Sequence, residues 1–311
     1  MMRKKKKTGF FRDLRKNWVL WLLLTPALFF FLINNYLPMV GIYFAFIDYN
    51  IRDGLFGSRF IGLENFKFLL LSGALGRLTT NTILYNIVFI ILGNVTQLGV
   101  AIVISQMTGK KFKKVNQTLI LMPYFVSYVI INVFAYNLFN SESGLVNNFL
   151  VNVLGREGIS FYSEAKLWPF IIVLFYIWKN LGYGTVIYLA TITGISQEYY
   201  EAAKVDGASV FQQIRYITIP AVKPTFIILL IYAVGGIVKG SFELFYQLVG
   251  NNGLLFSTTD ILDTYVYRAT VNSIDYGIGT AVGLYQSVVG FVIVMLVNWL
   301  IKRKEPDYAL F

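Results

Sequence analysis

The residues of this chain that could take part in chemistry are few, because cysteine and histidine are both absent from its 311 residues. Their absence removes disulfides, Cys/His zinc sites, thiol nucleophiles and imidazole bases. The chain also lacks the G-x-x-x-x-G-K-[ST] loop that holds the phosphates of ATP. Serine–lysine or carboxylate chemistry is left open, but no nucleophile–base pairing or metal cluster stands out. We therefore expect no catalytic residue, no metal site and no cofactor bound by this chain.

Three charged residues interrupt long apolar runs. Lys179 lies near the middle of one run, and Lys239 and Glu243 lie four residues apart in another. A charge at mid-membrane costs at least about 2.5 kcal/mol, so each should face a protein interior or a water-filled path. The spacing would place Lys239 and Glu243 on one helix face, where they can neutralise each other. They form either a structural ion pair or part of a solute path, and the neighbours that would join such a path are Asn180, Tyr183 and Phe242.

The elements that position these charges must be membrane spans, because the chain is 56% hydrophobic and only 14% charged. Soluble domains carry roughly 25% charged residues. A span needs about 20 mostly apolar residues. The sequence predicts six of them, at Trp18–Phe46, Ile83–Ile104, Val115–Phe139, Leu167–Ile192, Pro224–Leu248 and Gly277–Ile301. The predicted fold is all-α, a polytopic membrane protein with one transmembrane domain over residues 18–301.

Orientation follows from the basic residues. Of the 27 Lys and Arg, 18 lie in the four segments that are cytoplasmic if the N-terminus is inside, and 7 lie in the three opposite loops. The positive-inside rule therefore places both termini in the cytoplasm, as a basic tail (1–17) and a short tail (302–311). The net charge of +11 is then explained by contact with anionic lipid, and nucleic-acid binding is the weaker alternative.

The cytoplasmic loop 193–223 predicts two short helices that meet at a sharp turn. Ser196 is a candidate N-cap for a first helix over 197–205. Asp206-Gly207 is a turn signal, because glycine tolerates a left-handed backbone. Ser209, with Gln212 three residues later, is a capping-box pattern that starts a second helix. We expect Pro220 to end that second helix and Pro224 to open the next span.

This loop closely resembles the E-A-A motif of permease subunits of binding-protein-dependent ABC importers. The matching positions are Glu201, Ala202, Ala203, Gly207, Ile217, Ile219 and Pro220, with Asp206 at the turn. The family often has Leu before the proline, where this chain has Ile219. The resemblance implies that the loop is a coupling helix seated in a groove of an ATPase subunit.

Other stretches narrow the resemblance to the carbohydrate-uptake, maltose-type group. The segment Gly62-Leu63-Glu64-Asn65-Phe66 resembles a G-L-E-N-[FY] stretch of those permeases. The segment 36–41, Y-L-P-M-V-G, resembles one branch of this permease family. In Gram-positive bacteria, permeases of that branch import polysaccharide-derived oligosaccharides. The resemblance implies an oligosaccharide permease of the bacterial plasma membrane. Its implied partners are a homologous second permease, two ATPase subunits that bind ATP and Mg, and an extracellular solute-binding lipoprotein.

Two alternatives remain open at this point. A permease of the same kind could carry a non-sugar solute, such as an amino acid, phosphate or a metal, because the E-A-A loop does not distinguish them. The aromatic content of 17% favours a sugar, whose apolar faces stack on rings, although aromatic residues also fill membrane cores. A membrane enzyme or a channel is disfavoured by the missing catalytic residues and by the presence of a coupling loop.

Overall fold

The computed structural model describes residues 14–304, so residues 1–13 and 305–311 of the two predicted tails lie outside the described residues. The first half of the chain contains α1 (Trp18–Phe31), a π-helix (Leu32–Tyr36), a 3-10 helix (Leu37–Phe46), β1 (Ile47–Asp48), α2 (Gly54–Gly57), β2 (Arg59–Phe60), α3 (Glu64–Leu71), α4 (Ala74–Gln106), α5 (Lys110–Phe125), α6 (Tyr128–Phe139) and α7 (Leu145–Asn152). The second half contains a 3-10 turn (Phe161–Ser163), α8 (Trp168–Thr193), α9 (Gln197–Val205), α10 (Val210–Gln213), a π-helix (Ile214–Thr218), α11 (Ile219–Gly235), α12 (Phe242–Val249), a 3-10 turn (Gly253–Leu255), α13 (Phe256–Thr259), α14 (Leu262–Tyr267), a π-helix (Arg268–Asn272) and α15 (Tyr276–Lys304).

The predicted spans are present. Five helical segments of the described chain are long and apolar enough to cross a membrane, and a bent pair formed by α5 and α6 makes a sixth. The five are Trp18–Phe46, Ala74–Gln106, Trp168–Thr193, Val210–Gly235 and Tyr276–Arg303. The all-α, six-span prediction is therefore confirmed. The small antiparallel sheet pairs Ile47 with Phe60 in the loop after the first span.

The third span is broken, where the sequence predicted one continuous helix over Val115–Phe139. The axes of α5 and α6 differ in direction by 95°. The break follows from local chemistry. Pro123 lies in the last turn of α5, Val126 leaves it in an extended conformation, and the Ser127 side chain caps α6 by accepting a hydrogen bond from Ile130 N. We call residues 126–127 the third-span break.

The fifth span also differs from the predicted Pro224–Leu248. The helix ends at Gly235, turns over residues 236–241, and resumes as α12 at Phe242. We call residues 236–241 the fifth-span break. The span starts earlier than predicted as well, because the helix is continuous from Val210.

The prediction that Pro220 ends the second short helix is wrong. Pro220 lies at the start of α11, directly after the π-helix Ile214–Thr218. A π-turn widens the backbone and shifts its hydrogen bonds from i→i+4 to i→i+5, which accommodates a residue without an N–H. The proline is therefore absorbed into the helix.

The core of the molecule lies between α4 and α8, which pack along their lengths. Buried Phe89, Trp168 and Phe245 belong to one hydrophobic cluster. Another cluster, nearer the loop between α8 and α11, contains Tyr188 and Val222. The Tyr188 hydroxyl donates a 2.7 Å hydrogen bond to the Asn94 side-chain oxygen, which satisfies both groups inside this core.

Two glycines of α8 allow its neighbours to come close. A Cβ on Gly184 would collide with the side chain of Gln97 on α4, and a Cβ on Gly182 would collide with the backbone at Ile120 on α5. Small residues at helix contacts are the usual means of close packing between spans. They bring α4, α5 and α8 together around Lys179, the charge in the middle of the fourth span.

Candidate functional site

The first candidate region is the cytoplasmic turn between the fourth and fifth spans, residues 196–220, which we call the 196–220 turn. Its first helix, α9, begins as predicted at Ser196, whose hydroxyl accepts a 3.3 Å hydrogen bond from Glu198 N. Glu201 and Ala202 are exposed, and Ala203 is half-buried. The exposed side of this helix thus includes the acidic Glu201 and the small Ala202.

The junction of the two helices is a Schellman motif. Gly207 has φ +77°, Ala208 N donates to Ala203 O at 2.8 Å, and Gly207 N donates to Lys204 O at 3.1 Å. These are the 6→1 and 5→2 hydrogen bonds of that motif, and they satisfy the last carbonyls of α9. Asp206 is the C-cap residue. The turn predicted at Asp206-Gly207 therefore forms.

The second helix is fixed by the predicted capping box. Ser209 N donates to the Gln212 side chain at 2.7 Å, and Gln212 N donates to the Ser209 hydroxyl at 3.3 Å. The Tyr200 and Thr218 hydroxyls lie 2.9 Å apart, which ties α9 to the π-helix below α11. The two short helices consequently hold a defined angle to the membrane spans.

The 196–220 turn exposes several large apolar side chains. Val205 is 88% exposed, Phe211 is 72% exposed, and Tyr199 on α9 is exposed as well. Large apolar side chains left this exposed are candidates for burial against a partner protein.

The later residues of the motif lie at the start of the fifth span. Ile217 is half-buried, while Ile219 and Pro220 are exposed on the segment where the π-helix passes into α11. The predicted coupling residues therefore lie partly on α9 and its turn and partly at the base of the fifth span.

The second candidate region surrounds the third-span break. Lys179 is only 6% exposed, and its ammonium donates hydrogen bonds to Tyr124 O at 3.0 Å and to Val126 O at 2.5 Å. The ammonium also lies 4.6 Å from the ring centre of Tyr128. These carbonyls are left without helical partners where α5 stops, so Lys179 caps the broken helix.

The two polar neighbours of Lys179 on α8 differ in exposure. Asn180 is half-buried, and its backbone oxygen accepts a 3.0 Å hydrogen bond from the Gln97 side chain. Tyr183 is exposed and stacks on Tyr124 with ring centres 5.0 Å apart. Tyr183 therefore keeps an exposed ring beside Tyr124, whereas Asn180 lies at the contact between α4 and α8.

The third candidate region is the fifth-span break. Its backbone is satisfied by side chains from three other elements. Asn86 on α4 donates to Lys239 O at 3.2 Å, and Gln286 on α15 donates to Val238 O at 2.7 Å. Asp263 accepts from Gly240 N at 2.6 Å. Irregular backbone at membrane depth is tolerated only when protein or water satisfies it in this way.

Asp263 lies in α14, outside the spans, and it is the least obvious member of this network. Burial raises the pKa of its carboxyl above the usual range, while the hydrogen bonds from Gly240 N–H and Gln286 lower it. Sequence inspection missed Asn86, Asp263 and Gln286 as site residues. Asn86 and Gln286 could have been found as polar residues within spans two and six, whereas Asp263, outside the spans, gave no such signal.

The predicted pairing of Lys239 with Glu243 on one helix face is wrong. Lys239 lies in the break, and Glu243 lies in the first turn of α12, so the i,i+4 geometry does not apply. Glu243 instead interacts electrostatically with Lys179 and with Tyr128, across the contact between the two broken spans. Both Lys239 and Glu243 are exposed.

The remaining predicted residue, Phe242, belongs to an aromatic group. Its ring lies 5.3 Å from Tyr246 and 5.0 Å from Tyr267. A cavity of about 650 Å³ opens beside the fifth-span break and is lined by Tyr232 and Lys239, among others. Lys179, Tyr183, Lys239, Phe242 and Glu243 thus all lie at or next to the two breaks.

Comparison with known proteins supports one family. The model of the family described as "Binding-protein-dependent transport system inner membrane component" matches residues 97–306. Protein LplB of Bacillus subtilis (strain 168) is 36% identical over 94% of this chain and 91% of its own length. The polygalacturonan/rhamnogalacturonan transport system permease protein YteP of the same organism is 35% identical over 91% of this chain and 88% of its own.

Two solved structures of an ABC importer also resemble this chain. A bacterial ABC transporter involved in the import of the acidic polysaccharide alginate contains a chain that superposes with a TM-score of 0.85. That chain is 30% identical, and the match covers 96% of this chain and 100% of that one. A second structure, of the bacterial alginate ABC transporter in complex with an alginate pentasaccharide-bound periplasmic protein, matches with a TM-score of 0.84 at 31% identity.

Proposed function

The chain belongs to the family of binding-protein-dependent transport system inner membrane components, and we propose that it is the permease subunit through which an oligosaccharide crosses the membrane. As a member it is a multi-pass membrane subunit of an ABC importer. We infer the solute from the similarity to YteP, a permease whose name states polygalacturonan and rhamnogalacturonan transport. The alginate importer structures support the same class of solute.

The two breaks supply a path suited to such a solute. Tyr232, Tyr183 and the group around Phe242 offer ring faces to the apolar faces of sugar rings. Lys239 and Glu243 are exposed beside them and can hydrogen-bond to hydroxyl or carboxylate groups. Transport sites of this kind lie near the bilayer midplane, at discontinuous helices. Lys179 and Asn180 position the wall of the path behind these groups.

The 196–220 turn is the proposed binding site for the ATPase subunit. Its exposed apolar side chains, among them Val205 and Phe211, suit burial in a hydrophobic groove of a partner subunit. The small side chains of Ala202 and Ala203 permit close approach, and Glu201 can form a charge-assisted hydrogen bond there. This chain thus receives its driving force from subunits that bind ATP and Mg.

The number of turns sets the composition of the complex. One chain supplies one 196–220 turn, while an ABC motor has two ATPase halves. We therefore expect a second, homologous permease beside this chain, together with the two ATPase subunits. A solute-binding lipoprotein delivers the sugar to the outer face, and closure of the ATPases turns the path outward by rigid-body alternating access.

The test is reconstitution. The tagged chain is co-expressed with the second permease and the ATPase subunits, and the complex is purified. It is then placed in proteoliposomes with the solute-binding protein. We expect one copy of this chain per complex, and ATP hydrolysis that rises when the binding protein carries an oligosaccharide such as an oligogalacturonide.

The Ala203→Trp variant should insert in the membrane and lose that stimulation, whereas Ala203→Ser, which stays small, should keep it. Stimulation by an amino acid or phosphate but by no oligosaccharide would contradict the proposed solute. Two copies of this chain in a stable complex without a sibling would contradict the proposed composition.

A further inference from the structure

A pocket at the cytoplasmic ends of three helices plays no part in the path described above. It lies where α4 ends at Gln106, where α8 ends at Thr193, and where α5 begins at Lys110. Its volume is about 230 Å³, and α9 forms one wall through Gln197, Tyr200 and Lys204. The pocket therefore joins the membrane spans to the 196–220 turn.

The charge of the pocket has one sign. Lys113 of α5 and Lys204 of α9 both line it, and no carboxylate is among its lining residues. Lys113 is half-buried, and neither lysine forms an ion pair or a side-chain hydrogen bond with any other described residue. Glu201 lies one turn from Lys204 on α9, but it does not line the pocket. Two lysines, the half-buried Lys113 and the exposed Lys204, thus line one cavity with no carboxylate among the residues around it.

The remaining lining groups are also suited to an anion. The Gln197 side chain carries amide N–H donors, and the Gln106 amide, which donates one N–H to the Ser105 hydroxyl, retains a second. The Ser105 and Thr193 hydroxyls, which also line the pocket, already donate to backbone carbonyls of their own helices. A lysine ammonium is a compact charge with three donors, which suits phosphate oxygens. A pocket with two lysines, amide donors and no carboxylate favours an oxyanion over a neutral solute or a cation.

The depth of the pocket identifies the class of oxyanion. The pocket sits at the cytoplasmic ends of the spans, which is the level of the lipid headgroups, and basic pockets between spans on this side bind phospholipid headgroups. We propose that the pocket binds a phosphate-bearing anion, held between Lys113 and Lys204. Because Lys204 is on α9, an anion in this position clamps the ATPase-docking helix to α5.

The binding test uses the purified full-length chain in an uncharged detergent. The probes are a soluble short-chain phosphatidylglycerol, the corresponding phosphatidylcholine, and inorganic phosphate, with affinity measured by microscale thermophoresis. We expect the anionic probes to bind in preference to the zwitterionic one. Loss of one charge-assisted contact should weaken binding about tenfold in Lys113→Gln and in Lys204→Gln.

The matched control is Lys111→Gln, since Lys111 belongs to the same basic run, is exposed, and does not line the pocket. Lys113→Arg keeps the charge and should retain binding even if Lys113→Gln does not fold. Binding of phosphatidylglycerol without competition by phosphate identifies a lipid, and equal competition identifies a free phosphate; both support the site. Absence of binding by every anionic probe overturns the proposal. So does an equal loss in Lys111→Gln and Lys113→Gln.

Discussion

Gly207 offers the sharpest test of the 196–220 turn, because its replacement changes the backbone energy and little else. Its φ is +77°, and nothing lies within 4 Å of the place that a Cβ would occupy. An added side chain therefore meets no neighbour, and the cost comes only from the left-handed backbone. That cost is roughly 1–2 kcal/mol for an ordinary L-residue, and it is larger for a β-branched one.

The expected effects are graded. Gly207→Asn should destabilise the turn least, because Asn tolerates the left-handed region best. Gly207→Ala should destabilise it by about 1–2 kcal/mol, and Gly207→Val by more. A strain of 1–2 kcal/mol lowers the population of the native turn relative to a relaxed one by roughly 5- to 30-fold. The relaxed turn re-aims α9, so attachment of the ATPase should fall in the order Asn, Ala, Val.

The assay is co-purification of the ATPase with each variant, followed by hydrolysis stimulated by the loaded binding protein. Gly194→Ala is the matched control: Gly194 ends α8 just before the turn, and its φ of −80° suits any residue. An added Cβ there makes only ordinary contacts, at 3.4 Å or more. Wild-type attachment and stimulation in Gly207→Val would refute the assignment of residues 196–220 as the motor-coupling element.

Three further outcomes are expected. Glu243→Gln should reduce uptake while the complex still assembles, because Glu243 is exposed at the break and interacts with Lys179; normal uptake would leave it a structural role only. Lys179→Met should lower the free energy of unfolding by about 1–3 kcal/mol for each carbonyl left unpaired. The control Lys166→Met, at an exposed position, should change it little. Equal melting temperatures of the two variants would argue against the capping role of Lys179. Burial raises the pKa of the Asp263 carboxyl, so the folded protein binds that proton more tightly than the unfolded chain, and stability falls as pH rises from the ordinary pKa of 3.8 through the folded value. Asp263→Asn keeps an oxygen for Gly240 N–H and should flatten this dependence in melting curves; an unchanged slope would count against it.

The sequence alone determined the features that depend on near neighbours along the chain. The six apolar segments and the excess of Lys and Arg on one side predicted the fold class and its orientation. Ser196, Asp206-Gly207 and the pair Ser209 and Gln212 predicted the shape of the 196–220 turn, because caps and Schellman turns are made by residues within six positions of each other. The helical spans, the two caps and the turn appear in the structure as expected, while the orientation stays a prediction.

Only the tertiary structure decided where the spans are broken and what the intramembrane charges do. A broken span is stable only if distant side chains bond its free backbone groups, as Asn86 and Gln286 do for the fifth span and Lys179 does for the third. Those donors lie 48 to 153 residues from the carbonyls that they satisfy. Hydropathy along the chain carries no record of such partners, so the sequence predicted continuous third and fifth spans, with Lys239 and Glu243 on one helix face. The folded chain instead has a break in each of these two spans.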